Sequence, residues 1–244
     1  DQLALRQVTD RFIYLKEGDI AEITKDNIAI FNSEQQAVVR QQEKIVGNEQ
    51  TATRGKYRHY MLKEIYEQPK VIEQTLQGRL GKKRVLEGCF GANAKAIFDR
   101  VDHVQIVACG TSYHAGMVAK YWFESWANIA CSVEVASEFR YRKVVVPTNS
   151  LIVTISQSGE TADTLAALRK AQTQSYLSSL TICNVPNSAL IRESELNLLT
   201  EAGTEIGVAS TKAFTTQLVA LQLLGILLGR RKGLSEELEA EMVA

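Results

Sequence analysis

The spacing of apolar and polar residues changes character twice along the chain. From residue 1 to about 46, short apolar runs alternate with turn-forming clusters. RFIYL (11–15) and IAEIT (20–24) flank KEGD, and IAIFN (28–32) and AVVR (37–40) flank SEQQ. This pattern predicts two β-hairpins, with Gly18 and Asp19 in the first turn. Two hairpins bury too little surface to stand alone, so 1–46 is expected to be the end of a larger β-rich domain. GNEQTATRGK (47–56) is polar and reads as a linker. From Tyr57 the period becomes helical. YRHYMLKEIYEQ and PKVIEQTLQG predict two short helices, with Pro69 in the first turn of the second and Gly78 at its end. Residues 47–91 thus form a linker and helical lead-in, and ANAKAIFDRV (92–101) predicts a further helix.

A regular alternation follows. Segments rich in apolar and β-branched residues at 104–108, 131–135, 151–155, 179–183 and 196–200 predict strands, separated by helical patterns at 113–126, 136–142, 160–173 and 188–194. Strands that are apolar throughout and joined by helices mean a parallel sheet covered on both faces. The expected fold class is α/β, a five-stranded parallel sheet flanked by helices over 92–234, with 235–244 starting a following helix. LVALQLLGILLG (218–229) is apolar but interrupted by Gln222 and two glycines, and predicts a core or interface helix rather than a membrane span. The chain begins at Asp1 without a methionine and stops within the helical pattern SEELEAEMVA. Both ends are therefore expected to be cuts through a longer protein.

Composition narrows the function classes. With 28 Lys and Arg against 28 Asp and Glu, the net charge is zero, which gives no support to a nucleic-acid or membrane-surface role. Cys89, Cys109, Cys131 and Cys183 are far apart, with no CxxC pair or Cys/His cluster, so neither zinc nor a disulfide framework is expected. Reduced cytoplasmic thiols are the simpler reading. Neither GxGxxG nor GxxxxGK[ST] occurs, which removes the dinucleotide fingerprint and the nucleotide P-loop.

Three segments lie where an open parallel sheet places ligands, at the carboxyl ends of strands. They are VACGTSYHAG (107–116), TISQSGETAD (154–163) and AGTEIGVASTKAF (202–214). Each sets small and hydroxyl-bearing residues just before a helix. A helix start leaves backbone N–H groups unpaired and favours an anion. Added Ser and Thr hydroxyls make such a loop suited to a phosphate monoester without any lysine or arginine. Gly159 is expected to let the backbone approach the ligand closely. The plainer reading is that Ser or Thr here only caps a helix. Other side chains are weaker candidates. His59, His103 and His114 are isolated, Cys109 reads as an inert core thiol, and Glu160 and Glu205 read as ordinary carboxylates. Lys212 is expected either near the third loop or in solvent, and EFRYRK (138–143) as a basic surface or interface strip.

CGTS after one strand, SQSGETADT after a later one and EIGVASTKAF before a long helix resemble the sugar-isomerase (SIS) fold. More narrowly they resemble the isomerizing glutamine–fructose-6-phosphate aminotransferases, the glucosamine-6-phosphate synthases. RFIYLKEGDIAEIT, YRHYMLKEIYEQP, YWFESWANI and SEFRYRK extend the resemblance over nearly the whole chain, least well at 41–56 and 79–90. It implies that 1–46 is the end of a glutaminase domain and 92–234 the first of two SIS domains. It implies phosphate contacts at Ser156, Gln157, Ser158 and Thr161, and sugar contacts at Thr111, Ser112 and Val208, the last through its backbone. The implied ligands are fructose 6-phosphate or glucosamine 6-phosphate, with no cofactor or metal, in a cytoplasmic homodimer. The family's catalytic cysteine, Schiff-base lysine and proton-transfer groups have no counterpart here, so no catalytic residue is expected in this stretch. A non-catalytic module that senses a phosphosugar is the rival reading.

Overall fold

A computed structural model describes residues 8–44 and 53–244, and the chain divides into two compact units, Asp1–Ala52 and Thr53–Ala244. Most of the expected linker, with the boundary at 46/47, lies outside the described residues.

The first unit is antiparallel, but its pairing differs from expectation. Strand β1 (Arg11–Ile13) pairs with β5 (Gln42–Lys44), while β2 (Ile20–Ile23), β3 (Ile28–Phe31) and β4 (Ala37–Val38) form a three-stranded sheet. The first hairpin therefore turns at 24–27, where the Asn27 N–H donates to Thr24 Oγ1 (3.0 Å) and the Thr24 N–H to the Asn27 carbonyl (2.9 Å). KEGD does form a turn. The Asp19 carboxylate accepts from the Lys16 N–H and from the Arg40 guanidinium at 2.7 and 2.8 Å. The contact with Arg40 ties the turn to the residues just after β4 and holds the Asp19 carboxyl down at about 2.

The second unit opens with α1 (Tyr60–Leu76), one continuous helix where two were expected. Pro69 lies inside it. Proline removes the bond to the carbonyl four residues earlier. Here the Gln68 side-chain amide donates to that carbonyl, Ile65 O, at 3.1 Å and satisfies it. The helix ends at Leu76, and Gly78, the residue expected at its end, follows the Gln77 cap with φ +73°. Its buried side chains are Glu64, Val71 and Thr75, whereas Met61, Leu62, Ile65 and Tyr66 are exposed.

A short 3₁₀ turn and α2 (Ala94–Phe98) lead into the α/β layer. Its strands are β6 (His103–Ala108), β7 (Ala130–Val135), β8 (Ser150–Ser156), β9 (Ser178–Cys183) and β10 (Leu196–Leu199). All pair in parallel in the order β10-β9-β8-β6-β7. β8 is central and every one of its residues is buried. Residues alternate between the two faces. Leu151, Val153 and Ile155 join a large core with Phe98, Phe123 and the leucines of α7, while Ile152 joins Val107, Phe139 and Ala167 on the other side. The helices are α3 (Gly110–Ala127), α4 (Ala136–Phe139), α5 (Ala162–Gln172), α6 (Ala189–Glu193), α7 (Lys212–Arg231) and α8 (Glu236–Val243).

α7 is long and apolar enough by composition to cross a membrane, but it lies in the core: Leu221, Leu224, Leu227 and Leu228 are fully buried. Each such side chain is worth ~1.5–3 kcal/mol relative to exposure. α8 begins at the Ser235 cap, whose Oγ accepts from the Leu238 N–H at 3.1 Å. It folds back so that Glu239 accepts from the Val85 N–H (3.0 Å) and from Arg230.

Candidate functional site

Strand order reverses between β6 and β8, because the chain leaves β6 towards β7 and later returns to build β8, β9 and β10 on the other side. The connections leaving β6 and β8 diverge there, opening a crevice at the strands' carboxyl ends. A cavity of about 400 Å³ occupies it. Its wall includes Thr111, Ser112, Ser156, Gln157, Ser158, Thr161 and Val208, so all seven residues singled out by the sequence come together. Cys109, Gly110, Ala209 and Ser210 also line it.

The loop after β8 is closed by its own side chains. Ser156 Oγ accepts the Gly159 N–H at 3.0 Å and lies 3.1 Å from Thr161 Oγ1, and Ser158 Oγ accepts the Glu160 N–H at 3.2 Å. Thr161 sits at the N-cap of α5, yet its side chain makes no capping bond. The plain capping role therefore does not account for this hydroxyl. The first helical bond of α5 runs from the Leu165 N–H to the Thr161 carbonyl (2.9 Å), so the preceding amides project from the helix start.

The φ of Gly159 is +70°, and a Cβ there would stand 2.0 Å from Ser188 Oγ and 2.8 Å from Cys183 Sγ. Packing against the β9–α6 connection therefore requires the glycine on its own account.

The loop after β6 is shorter than predicted. α3 starts at Gly110, three residues earlier than its pattern implied, so Thr111 and Ser112 belong to its first turn. Thr111 is exposed and Ser112 buried. Cys109 is half-buried on the cavity wall, not a core thiol, and its Sγ accepts from Thr164 Oγ1 at 3.9 Å. Two helix starts, of α3 and α5, thus face one cavity from adjacent strands.

The third wall is the segment 202–211, which forms neither helix nor strand. Side chains fix it. Asn184 Oδ1 accepts the Ala202 N–H (2.7 Å) and Asn184 Nδ2 donates to the Gly203 carbonyl (2.7 Å). Glu205 accepts the N–H groups of Thr211 (2.8 Å) and Ala213 (3.1 Å) and the Ser210 hydroxyl (2.9 Å). Glu64, reaching across from α1, accepts the N–H groups of Ile206 (2.7 Å) and Gly207 (2.9 Å) and the Thr211 hydroxyl (3.0 Å). Val208, at the crest, is fully exposed.

No side chain on the cavity wall carries a charge. Asp163, in the first turn of α5, is paired with Arg140 at 2.7 Å, which offsets the repulsion an anion would meet. Two cations of the EFRYRK strip are paired within the chain, Arg140 with Asp163 and Arg142 with Glu134, while Lys170 of α5 donates to the carbonyls of Phe139 and Arg142. Lys212 does approach the third loop, its Nζ 3.8 Å from where a Cβ on Gly203 would stand, but it is buried and its charge is paired with Glu67 at 2.8 Å. Glu160 and Glu205 are engaged by backbone amides, Glu160 at the Ala189 N–H (2.8 Å). His114 is exposed, while His103 is buried between Ser150 Oγ (3.1 Å) and Ser132 Oγ (3.3 Å), and burial lowers its pKa. Burial pushes the Cys89 thiol to about 11 and the Cys131 thiol to about 12. Among the described residues, no group of three His, Cys, Asp or Glu side chains could hold a metal.

Pattern reading missed Glu64, Ser210 and Cys109. Glu64 had a usable signal: it shares the buried helical stripe of Val71 and Thr75, at spacings of seven and four, where an apolar residue is expected.

The SIS domain profile matches residues 97–227, more than half of the chain. The chain belongs to the SIS domain family. Among curated proteins, it is 63% identical over 244 residues to an isomerizing glutamine–fructose-6-phosphate aminotransferase of Pseudomonas syringae pv. tomato. It is 62% identical to the protein of that name from Pseudomonas aeruginosa. Both matches cover 100% of this SIS chain and 40% of the relative, so the chain spans well under half of their length. Among solved structures, the C-terminal domain of glucosamine-fructose-6-phosphate aminotransferase from Francisella tularensis aligns with TM-score 0.77 and 53% identity, covering 79% of this chain and 54% of that one. Glucosamine-6-phosphate deaminase from Thermotoga maritima shares the SIS fold at 24% identity, TM-score 0.58, over 76% of this chain and 52% of that one.

Proposed function

We propose that the chain is the part of an isomerizing glutamine–fructose-6-phosphate aminotransferase that holds the sugar phosphate. In this reading Ser156, Gln157, Ser158 and Thr161 receive the phosphate, with the amides at the start of α5. Thr111, Ser112 and the Val208 backbone receive the sugar, whether fructose 6-phosphate or glucosamine 6-phosphate. The observation that carries it is the meeting of two uncapped helix starts and these hydroxyls on one uncharged cavity at the sheet's switch point. Neutral donors in such a place bind a phosphate monoester and release it readily, as a turnover enzyme requires.

The reacting groups belong, in this reading, to the rest of the longer protein. Residues 92–234 are its first SIS domain, and the β segment 1–46 is the end of its glutaminase domain. The protein works without cofactor or metal, as a homodimer in the cytoplasm. By holding the phosphate end, this segment presents the C1–C2 end of the ketose to its partners in catalysis, and such positioning removes several kcal/mol from a barrier, ~7–11 at most.

Titration calorimetry of the 244-residue chain tests the reading. Fructose 6-phosphate should bind in the range of about micromolar to millimolar, and unphosphorylated fructose far more weakly. The same protein should form no glucosamine 6-phosphate from fructose 6-phosphate and glutamine. Equal binding of fructose and its phosphate would sink the assignment of the β8 loop.

A further inference from the structure

We infer that Glu64 is a positioning residue for sugar-phosphate binding, setting the wall at Val208–Ser210 against the hydroxyl-bearing walls. The inference rests on the function proposed above. Glu64 does not line the cavity, and it sits on a different element from every residue that does.

The geometry is specific. The segment 202–211 has no ladder or helical bonds of its own, so its shape depends on side chains. Asn184 fixes the end at Ala202 and Gly203, and Glu205 fixes the end at Thr211 and Ala213. The middle turns on one oxygen: Glu64 Oε1 takes the N–H groups of Ile206 and Gly207 at 2.7 and 2.9 Å, while Oε2 takes Thr211 Oγ1 at 3.0 Å. Gly207 is shaped to this carboxylate, since a Cβ on it would stand 2.6 Å from Glu64 Oε2. Glu64 is 2% exposed, and the α1 backbone that carries it is tied to α7 by Glu67–Lys212 (2.8 Å) and by Gln68 with Thr215. A buried carboxylate satisfied by two amides and a hydroxyl is a rigid post. The residue after the two anchored amides is Val208, where the loop meets the cavity.

This arrangement separates the two ends of the ligand. The phosphate walls close locally and do not depend on α1. Loss of Glu64 should therefore disturb the sugar end and leave the phosphate end intact.

The experiment compares Glu64→Ala, Glu64→Gln and Gly207→Ala with the parent chain, using fructose 6-phosphate and inorganic phosphate as probes and hydrogen exchange as a monitor. Glu64→Ala should weaken fructose 6-phosphate by about tenfold and change inorganic phosphate by less than about twofold. The amides of Ile206 and Gly207 should exchange at least ~10-fold faster, with the core strands unchanged. Glu64→Gln keeps one acceptor oxygen and should recover part of the loss. Gly207→Ala pushes on the carboxylate from the other side and should reproduce the alanine variant's selectivity, which also serves if Glu64→Ala fails to fold. Parental affinity for fructose 6-phosphate in these variants, equal weakening of both probes, or unchanged exchange at Ile206 and Gly207 overturns the inference alone. A parent chain that binds neither probe overturns the sugar-phosphate reading, and this inference with it.

Discussion

The loop after β8 and the loop after β10 reach the same cavity by opposite means. The first is closed within the six residues 156–161, by Ser156 with Thr161, Gly159 with Ser156 and Glu160 with Ser158. The second is held from a helix 142 residues away in sequence, through Glu64. A locally closed loop keeps its shape as long as its own strand and helix stand. A loop braced from a distance responds to anything that moves the brace. The first is suited to gripping an invariant group, and the second to the part of a ligand that changes during a reaction.

Four substitutions break or sharpen this contrast. Leu223→Asp should act most strongly. It places a carboxylate in the core around α7, whose first turn receives the braced loop, and an unpaired buried charge costs several kcal/mol, ~3–5. The protein should be insoluble or unfolded by circular dichroism; a soluble variant with parental melting would count against the core position of α7. Gly159→Ala should come next, because it strains the local loop twice. Its positive φ and its clash with Ser188 Oγ together should cost about 3 kcal/mol, read as a lowered denaturation midpoint at constant slope. Ser158→Asp should leave stability nearly unchanged but set a fixed negative charge against the phosphate. Fructose 6-phosphate affinity should fall by more than ~100-fold, with a loss that shrinks in salt. Thr161→Ala should be mildest. It removes one hydroxyl that caps nothing and makes one contact, to Ser156 Oγ at 3.1 Å; a hydrogen bond to a charged group is worth ~1.5–3 kcal/mol, so binding should weaken at least about tenfold with little loss of stability. If Ser158→Asp and Thr161→Ala both bind like the parent, the local loop is only a helix start.

The five strands, their parallel direction and the three loops at their carboxyl ends were legible because each depends on neighbouring residues. A short, mainly apolar and β-branched run such as 151–155, bounded by turn signals, marks an interior strand of a covered sheet. A serine-rich turn after it can only stand at the strand end. Legibility failed where pairing partners are chosen at a distance. RFIYL and IAEIT lie on either side of a sound turn, yet they do not pair, because β1 takes β5 instead. Pro69 looked like a helix start, and one side-chain amide, Gln68 onto Ile65 O, let the helix run through it. Lys212 stood open between the third loop and solvent, and only α1 decided its place by supplying Glu67.

The sequence by itself determined the α/β class, the place of the crevice and the loops that form its two hydroxyl-bearing walls. Strand period, helix starts and turn chemistry are local properties, and local properties are written in consecutive residues. Tertiary structure alone decided that α1 turns Met61, Leu62, Ile65 and Tyr66 outward and Glu64 inward. The physical reason is that the unpaired amides of Ile206 and Gly207 needed an acceptor in a buried place. That demand arises only when two segments far apart in the chain are packed together; the sequence near Glu64 marks its place on the buried stripe but not the amides it meets there.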